Sequence, residues 1–562
     1  MVLPVLVTLR GSIGTAWALR YDSKRFNFTF KKTMTTYPGQ DCLSRSMIQL
    51  CWAVLGVVLG LYLWNLYGLV YDADLAILTS FAQRMLEGHK FADMYYETNP
   101  PLSILIYVPV LWIQSWSGLE IYHAHFFYSL GLSFIFFLLT AYLLARIEGI
   151  DRASWHLFLM GFAVTQIIVP GHDFGDRDHL VLMALFPFVL GQIALYQQVE
   201  TSRVILWGAF IIGTVFILVK PHYGLIPTFC LGYRFFKGAY FRVIKAPDFI
   251  ALAFGVLIYG LVLVVFFRDF LEIVLFDSII LYSGSRNPNV WADIFICASF
   301  LVIFLPVLNT AQILGEREKR IINFLALITV LLFIPYLVQG KALNYHRIPY
   351  LSLWYITGMA ASFYVLRHYV RSRIALVFVI VCFISGISIL QGIPKGSLTH
   401  EEFKSLPLSR ALKQYCPQER TCRFLLLTDT VDNIHRLSVY HHAFHASRFT
   451  SMWYLPPLII PKEFRRLSDA DIEVYKSKYI AMVADDMVRF QPDVIIVLQD
   501  LMGYPDFDFI DFYAADPRFA EEFKSYDLEE TLTFDRRIYF PGLSTKLDKA
   551  PQGQYMVYTR RQ

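Results

Sequence analysis

Residues 71–102 read YDADLAILTSFAQRMLEGHKFADMYYETNPPL. An apolar segment over 47–70, long enough to cross a bilayer, precedes this stretch, and a Pro-Pro step at its end re-enters apolar sequence. Between them stand Asp72 and Asp74, followed by a helix with a polar face of its own. Carboxylates at the mouth of a membrane bundle are costly to keep and mark functional positions. A second acidic cluster, HDFGDRDH over 172–179, falls between two later apolar segments. Two such loops imply one site assembled from both.

Working outward, composition sets the class. Of 562 residues, 56% are apolar and only 17% charged, which excludes an ordinary soluble globular protein. Aromatic residues make up 16%, as interfacial belts of half-wet Trp and Tyr require. The net charge of +5 comes from Lys and Arg scattered through short loops, so no nucleic-acid partner is expected. The seven cysteines show no metal-ligand spacing. Cys416 and Cys422, in CPQERTC, stand either as a disulfide in an extracytoplasmic region or as two ordinary thiols. Residues 1–46 form a basic tail (Arg10, Arg20, Lys24, Arg25, Lys31, Lys32, Arg45), expected to be cytoplasmic. Its opening VLPVLVTL is too short for a signal peptide and has no basic region before it.

Spanning segments are expected near 47–70, 121–145, 154–170, 179–198, 203–220, 248–267, 291–310, 321–338, 348–366 and 373–391, with a weaker one near 223–236. The run 101–114 is shorter, and parity decides its role. If it stops short of crossing, the loops rich in Lys and Arg (RIEGIDR, KGAYFRVIKAP, GEREKR, RHYVRSR) all lie on the cytoplasmic face, as the positive-inside rule demands. If it crosses, the two acidic loops fall on opposite faces. The expected fold is therefore a polytopic α-helical membrane protein of about eleven spans plus one partial, interfacial helix. The membrane part covers 47–391, and an extracytoplasmic soluble α/β domain covers 392–562. In that domain, CRFLLLTDT, DVIIVLQD and YMVYTR read as strands, with a polar helical stretch at 467–488. SMWYLPP, over 451–457, reads as core packing more readily than as a glycan platform.

The outer loops gather three kinds of group. Asp72 and Asp74 follow the first span; Asp173, Asp176 and Asp178, with Arg177 among them, follow the third; Lys220, His222, Lys341, His346 and Arg347 supply cations and imidazoles. Transfer from a lipid-linked sugar phosphate uses all three. A carboxylate takes the acceptor hydroxyl's proton, and cations or an acid-held metal stabilise the departing phosphate. Each residue also has a structural role open to it. Asp72 suits a helix cap, Asp176 to Asp178 a local ion-pair cluster, the lysines interfacial snorkelling, and the histidines polar span ends.

Here the chain resembles the polytopic GT-C glycosyltransferases, especially the RgtA-to-RgtD-like bacterial group. It is more distantly similar to the lipid A aminoarabinose transferases and protein O-mannosyltransferases. The resemblance rests on the 71–102 stretch, DFGDRDHL, LVKPHYGLIP and QGKALNYHRIPYL, in that order, and covers roughly 47–391. It implies that Asp72 is the first-loop catalytic base and that Asp74 completes an Asp-x-Asp. Asp173 would be the second acid, with Asp176 a close rival, and Glu97 the pocket-lining acid before the Pro-Pro step. Lys220, Lys341, His346 and Arg347 would face the donor phosphate, with Asp74 and Asp173 the candidates to hold a divalent metal ion. The second cluster carries three acids where relatives often have fewer, which leaves the roles of Asp176 and Asp178 open. The resemblance further implies a polyprenyl-phosphate-sugar donor and inversion at the anomeric carbon. The acceptor would be a cell-envelope glycan, lipid or protein at the periplasmic face of a bacterial inner membrane.

A transporter or flippase for lipid-linked glycans is the main alternative, but it would place its charges near mid-bilayer on broken helices rather than at loop edges. A polymerase or ligase usually relies on a large outer loop dominated by Arg and His. A scaffold whose soluble tail binds a partner is a further class.

Overall fold

The computed structural model describes residues 45–236, 240–281, 294, 315–340, 343–369, 398–416, 419–431, 433–460, 467–501, 507–535 and 552–561. The N-terminal tail before residue 45, the spans expected near 291–310 and 373–391, and Lys341 lie outside the described residues.

Helix α1 (Arg45–Gly68) leaves Val54, Val57, Leu61 and Trp64 exposed along one side. Continuous apolar surface of this kind belongs in lipid. Helix α10 (Pro247–Phe266) does the same with Leu257, Ile258, Leu261, Val264 and Phe266. Among the described residues, five helices are long and apolar enough to cross a membrane: Ile48–Gly68, Ile121–Leu144, Arg177–Gln197, Pro247–Phe266 and Glu316–Gln339. The protein is a polytopic helical membrane protein. Helix α2 (Ala73–Leu86) follows α1. Helices α5 (Ile121–Leu144), α6 (Arg152–Ile167), α7 (Arg177–Gln197), α8 (Arg203–Val219) and α9 (Leu225–Phe236) come later in the bundle. Helices α11 (Leu275–Leu281), α12 (Glu316–Gln339) and α13 (Asn344–Tyr369) complete its described part.

Helix α7 is the enclosed one, packed against α5, α8 and α13. Its one polar anchor deep in the bundle is Gln192, which donates to Asp248 Oδ2 at 2.8 Å, and Arg234 neutralises the same carboxylate. A buried carboxylate is tolerable on those terms.

The run 101–114 folds as two pieces, α3 (Leu102–Leu105) and α4 (Val108–Ser117). Pro109 sits in the first turn of α4, and Gly118 ends it in the left-handed conformation at φ +70°. Two interrupted pieces of this length fall short of the roughly 30 Å hydrocarbon core. The acidic loops on either side of it meet, as described below.

The C-terminal residues form a five-stranded sheet in the order β2-β1-β3-β5-β4. Strands β1 (Arg423–Leu427), β2 (Phe444–His445) and β3 (Val494–Leu498) are parallel neighbours; β4 (Tyr526–Asp535) and β5 (Gln552–Arg560) complete it antiparallel. RFLLL and VIIVL are continuous apolar runs because both sheet faces are covered. Helices α14 (Ile434–His441) and α15 (Asp469–Phe490) pack in this region. In SMWYLPP, Met452 and Tyr454 are fully buried, with Tyr454 stacked 3.9 Å from Tyr479. Cys416 and Cys422 are joined in a disulfide with Cα atoms 5.3 Å apart.

The segment between α1 and α3 is fastened to this region by a buried cation. Arg84, at the end of α2, donates to Met94 O at 2.6 Å, Ser447 O at 2.9 Å and His445 O at 2.6 Å. Its guanidinium lies 4.5 Å from the Phe444 ring centroid. Asp277 on α11 makes a second fastening, accepting from Tyr479 at 2.8 Å, Lys478 at 2.5 Å and Tyr96. Arg84→Leu leaves three carbonyls without their donor, at a cost on the order of 3 kcal/mol. A lower melting temperature and lower yield of detergent-solubilised protein are expected, measured by intrinsic fluorescence.

Candidate active site

Local sequence builds the site at two helix starts. Asp72 is the N-cap of α2, extended at φ −61° and ψ 145°, with Oδ1 accepting from Leu75 N at 3.2 Å. The capping role weighed for it is therefore present. In the second loop a short turn, Gly171–Asp173, leads to Gly175 at φ +85°. Tyr107 donates to Gly175 O at 3.0 Å, and Gly175 N donates to His179 Nδ1 at 2.9 Å. A Cβ at this position would run into Ser129 Oγ and the His125 ring, so glycine is required for space as well as for φ. The turn carries Asp173 and Asp176 to the head of α7.

The expected residues fall into three linked groups. In the first, Asp72, His172 and Asp173 each bring one ligand atom to within 4.8 Å of the others, with His172 Nε2 3.3 Å from Asp173 Oδ1. In the second, Arg177 reaches from α7 to Asp74 Oδ2 at 2.7 Å and to Asp176 Oδ1 at 3.4 Å, joining the two acidic loops. Asp176 Oδ2 and Arg177 Nη1 are buried there without a partner among the described residues. In the third, Asp178 pairs with Lys220 and accepts from Tyr223 at 2.5 Å, and Lys220 lies 5.0 Å from the Tyr345 ring centroid.

The remaining candidates sit beside these groups. His222 meets Gln339 Nε2 at 3.2 Å, and Arg347 Nε donates to Tyr336 at 3.3 Å. His346 packs against Tyr345. Glu97 folds back on its own turn, accepting from Asn99 N at 2.9 Å, Asn99 Nδ2 at 2.5 Å and Thr98 at 3.3 Å. It still adds negative potential at Asp74.

The two carboxylates of the Asp-x-Asp part company. Asp72 is the extended cap and Asp74 lies in the first turn of α2, so Asp74 turns to Arg177 while Asp72 turns to His172 and Asp173. A divalent ion fits the Asp72, His172 and Asp173 atoms, a mixed oxygen and imidazole set. It does not fit the Asp74 and Asp173 pair suggested by the sequence, because Asp74 is committed to a guanidinium.

Crowding shapes the acidities. Burial raises Asp74 to about 7 against the pull of Arg177, with Asp72, Asp176 and Glu97 adding to the rise. Asp173 is held well above the usual carboxylate range, first by burial and then by Asp72, Asp176, Asp74 and Asp178. His222 is pushed down to about 4 by burial, with Lys220 adding to it. Beside these groups opens a small cleft, about 50 Å³, lined by Tyr67, Tyr71, Asp72, Tyr122, His125, Phe126, His172 and His400, among others.

Several residues in and around the site were not marked by sequence. Tyr71, in the cleft, and Tyr223, on Asp178, adjoin the motifs and were within reach of closer reading. His400, in the cleft, and Arg436 and Tyr440, on the Tyr71 backbone, come from hundreds of residues away and carry no local signal.

No family model matches the chain, and no curated protein matches it. Among solved structures, ArnT from Cupriavidus metallidurans in the apo state aligns with a TM-score of 0.46 and 11% identity. That alignment covers 80% of this chain and 93% of the other. The structure of the same protein bound to undecaprenyl phosphate aligns with a TM-score of 0.49 and 13% identity, over 81% and 94%. The functional reading below rests on the site itself.

Asp74 yields a pH test. A carboxyl whose folded pKa is raised to about 7 holds its proton more tightly folded than unfolded, so stability falls as pH rises from about 4 to about 7. Below pH 4 both states are protonated, and above 7 the loss is complete. Asp74→Asn removes this dependence. The variant's melting temperature is expected to gain on wild type across that window and to hold the gain at pH 8; parallel melting curves from pH 4 to 8 would refute it.

Proposed function

We propose that the protein is an inverting glycosyltransferase that moves a sugar from a polyprenyl-phosphate carrier to a hydroxyl of a cell-envelope glycan, lipid or protein acceptor. The observation that carries this is the meeting of both acidic loops: Arg177 of the second binds Asp74 of the first, and Asp72 and His172, one from each, line a cleft beside the apolar helices. A long isoprenoid tail is at home in grooves between such helices, while the reacting phosphate and hydroxyl need the polar end.

In this reading the acceptor oxygen attacks the anomeric carbon, the bond to the phosphate oxygen breaks, and the electron pair leaves with the phosphate. Asp72 takes the acceptor's proton as attack proceeds. It borders the cleft and is only half-buried. Asp173 is buried and does not line the cleft, which leaves Asp72 the better placed of the two to meet an acceptor. Arg177, whose Nη1 is uncommitted among the described residues, and Lys220 supply positive charge for the leaving phosphate. Asp176 and Asp178 hold those two cations in place. His222, His346 and Arg347 line the approach on the Lys220 side, with Lys341 proposed beside them. A divalent ion held by Asp72, His172 and Asp173 would add Lewis-acid stabilisation of the phosphate.

The Cys416–Cys422 disulfide favours an oxidising compartment for the C-terminal region, in keeping with a periplasmic site in a bacterial inner membrane. A transporter is disfavoured because the clustered charges stand at helix starts and ends rather than on broken helices at mid-span.

Asp72→Asn keeps the cap and loses the base. Transfer from membrane-extracted polyprenyl-phosphate sugars is expected to drop about 1,000-fold, within the range for loss of a general base, with insertion and melting temperature unchanged. Near-normal transfer would sink the base assignment. Lipid analysis of a deletion strain, looking for one accumulated carrier-linked sugar missing from one glycan, names donor and acceptor together.

A further inference from the structure

We infer that Tyr440 and Arg436, on α14 of the C-terminal region, are positioning residues that fix the Asp72 carboxylate at the cleft. The inference rests on the reading of Asp72 as base. Both backbone polar groups of Tyr71, the residue before Asp72, are held by this one helix. Tyr71 N donates to Tyr440 Oη at 2.9 Å, and Arg436 Nε donates to Tyr71 O at 2.7 Å. Positions 436 and 440 are one helical turn apart and share a face, so a single rigid element grips the peptide from both sides. Asp72 is the first residue after that grip and the last before α2, where its own Oδ1 takes Leu75 N. Its carboxylate direction is thus set from behind by α14 and from ahead by the helix start.

The grip is itself braced. The Tyr440 ring stacks on Tyr122 at 5.2 Å and packs on Phe403 at 4.9 Å. Its hydroxyl also meets His400 Nδ1 at 2.5 Å, while His400 Nε2 contacts Tyr67 O at 3.0 Å. Tyr67 near the end of α1 and Tyr71 before α2 are therefore bridged through two side chains of the C-terminal region. Arg436 does more than hold a carbonyl. It lies close enough to His172 to disfavour the imidazolium, an effect secondary to desolvation and opposed by Asp72. Its terminal nitrogens make no hydrogen bond among the described residues, and the side chain is half-buried. The C-terminal region is accordingly part of the reaction centre's framework and not only a cover over it.

A misplacement of about 1 Å costs on the order of 100-fold in a positioned reaction. Tyr440→Phe removes one hydroxyl and keeps the packed ring. Its expected signature is a kcat per folded molecule at least about 10-fold lower, with KM for the carrier-linked sugar within about twofold and only the small drop in melting temperature that loss of the hydroxyl's hydrogen bonds brings. Arg436→Met should show the same split, and Arg436→Lys, which can still donate to Tyr71 O, should recover part of kcat. Added to Asp72→Asn, Tyr440→Phe should have no further effect, since it acts through that carboxylate. The inference is overturned if kcat per folded molecule stays within twofold in both single variants. It is equally overturned if both variants fail to accumulate, or if activity falls only in step with folded protein. Asp72→Asn measured alongside separates the two ideas. An active Asp72→Asn defeats the base assignment, whereas an inactive one with normal Tyr440→Phe and Arg436→Met defeats only the positioning.

Discussion

A guanidinium enclosed at the head of the most buried helix must be neutralised, and how Arg177 achieves this organises everything around it. One bond goes to Asp176 beside it in sequence, and the shorter one crosses to Asp74 in the first outer loop. An isolated buried charge would cost several kcal/mol, and removing either partner would leave the other stranded. The two loops are therefore held together by the need to neutralise Arg177 and Asp74. Asp178 does the same one residue further on, with Lys220 from the end of α8. Three consecutive charged residues at one helix start thus draw α2, α7 and α8 to a common point.

The C-terminal region uses a different physics for the same end. Arg84 and Arg436 both direct their N–H groups at backbone carbonyls of distant segments. Carbonyls are acceptors that every residue carries, and burying them unpaired is costly. A cation that collects three of them, as Arg84 does, converts loop backbone into fixed structure without secondary structure of its own. Asp277 on α11 complements this by gathering Tyr96, Tyr479 and Lys478 onto one carboxylate. The segment between α1 and α3 is thus tied both to the sheet region and to the bundle.

This division explains what could be read in advance. Among the described residues the apolar runs became helices, and CRFLLLTDT and DVIIVLQD became β1 and β3 because burial on both faces leaves a run of apolar residues; YMVYTR lies in β5, where burial alternates. The acidic clusters were legible because charge beside a membrane segment is conspicuous. Fine geometry was not. Asp72 and Asp74 look equivalent in sequence, yet the first is the extended N-cap and the second lies in the first helical turn, which sends one to a cleft and the other to Arg177. Glu97 looked like a pocket wall and instead satisfies its own turn. Arg436 and Tyr440 left no trace, because hydrogen bonds to backbone impose no pattern on the partner's sequence.

The crowding of acids also decides between them. Asp74 and Asp176 share Arg177, and Asp178 has Lys220 and Tyr223; Asp173 has only His172 within ion-pair distance among the described residues. Burial, and after it the four neighbouring carboxylates, push its pKa up from the usual carboxylate range. Asp72 differs by position alone: it stands at the cleft, keeps contact with solvent, and has its backbone fixed by α14. Environments that set neighbouring acids apart in this way commonly divide acid and base roles. On that argument, the structural duty of Asp72 as a helix cap supports its proposed chemical one, since the bond from Leu75 N fixes the direction of the carboxylate.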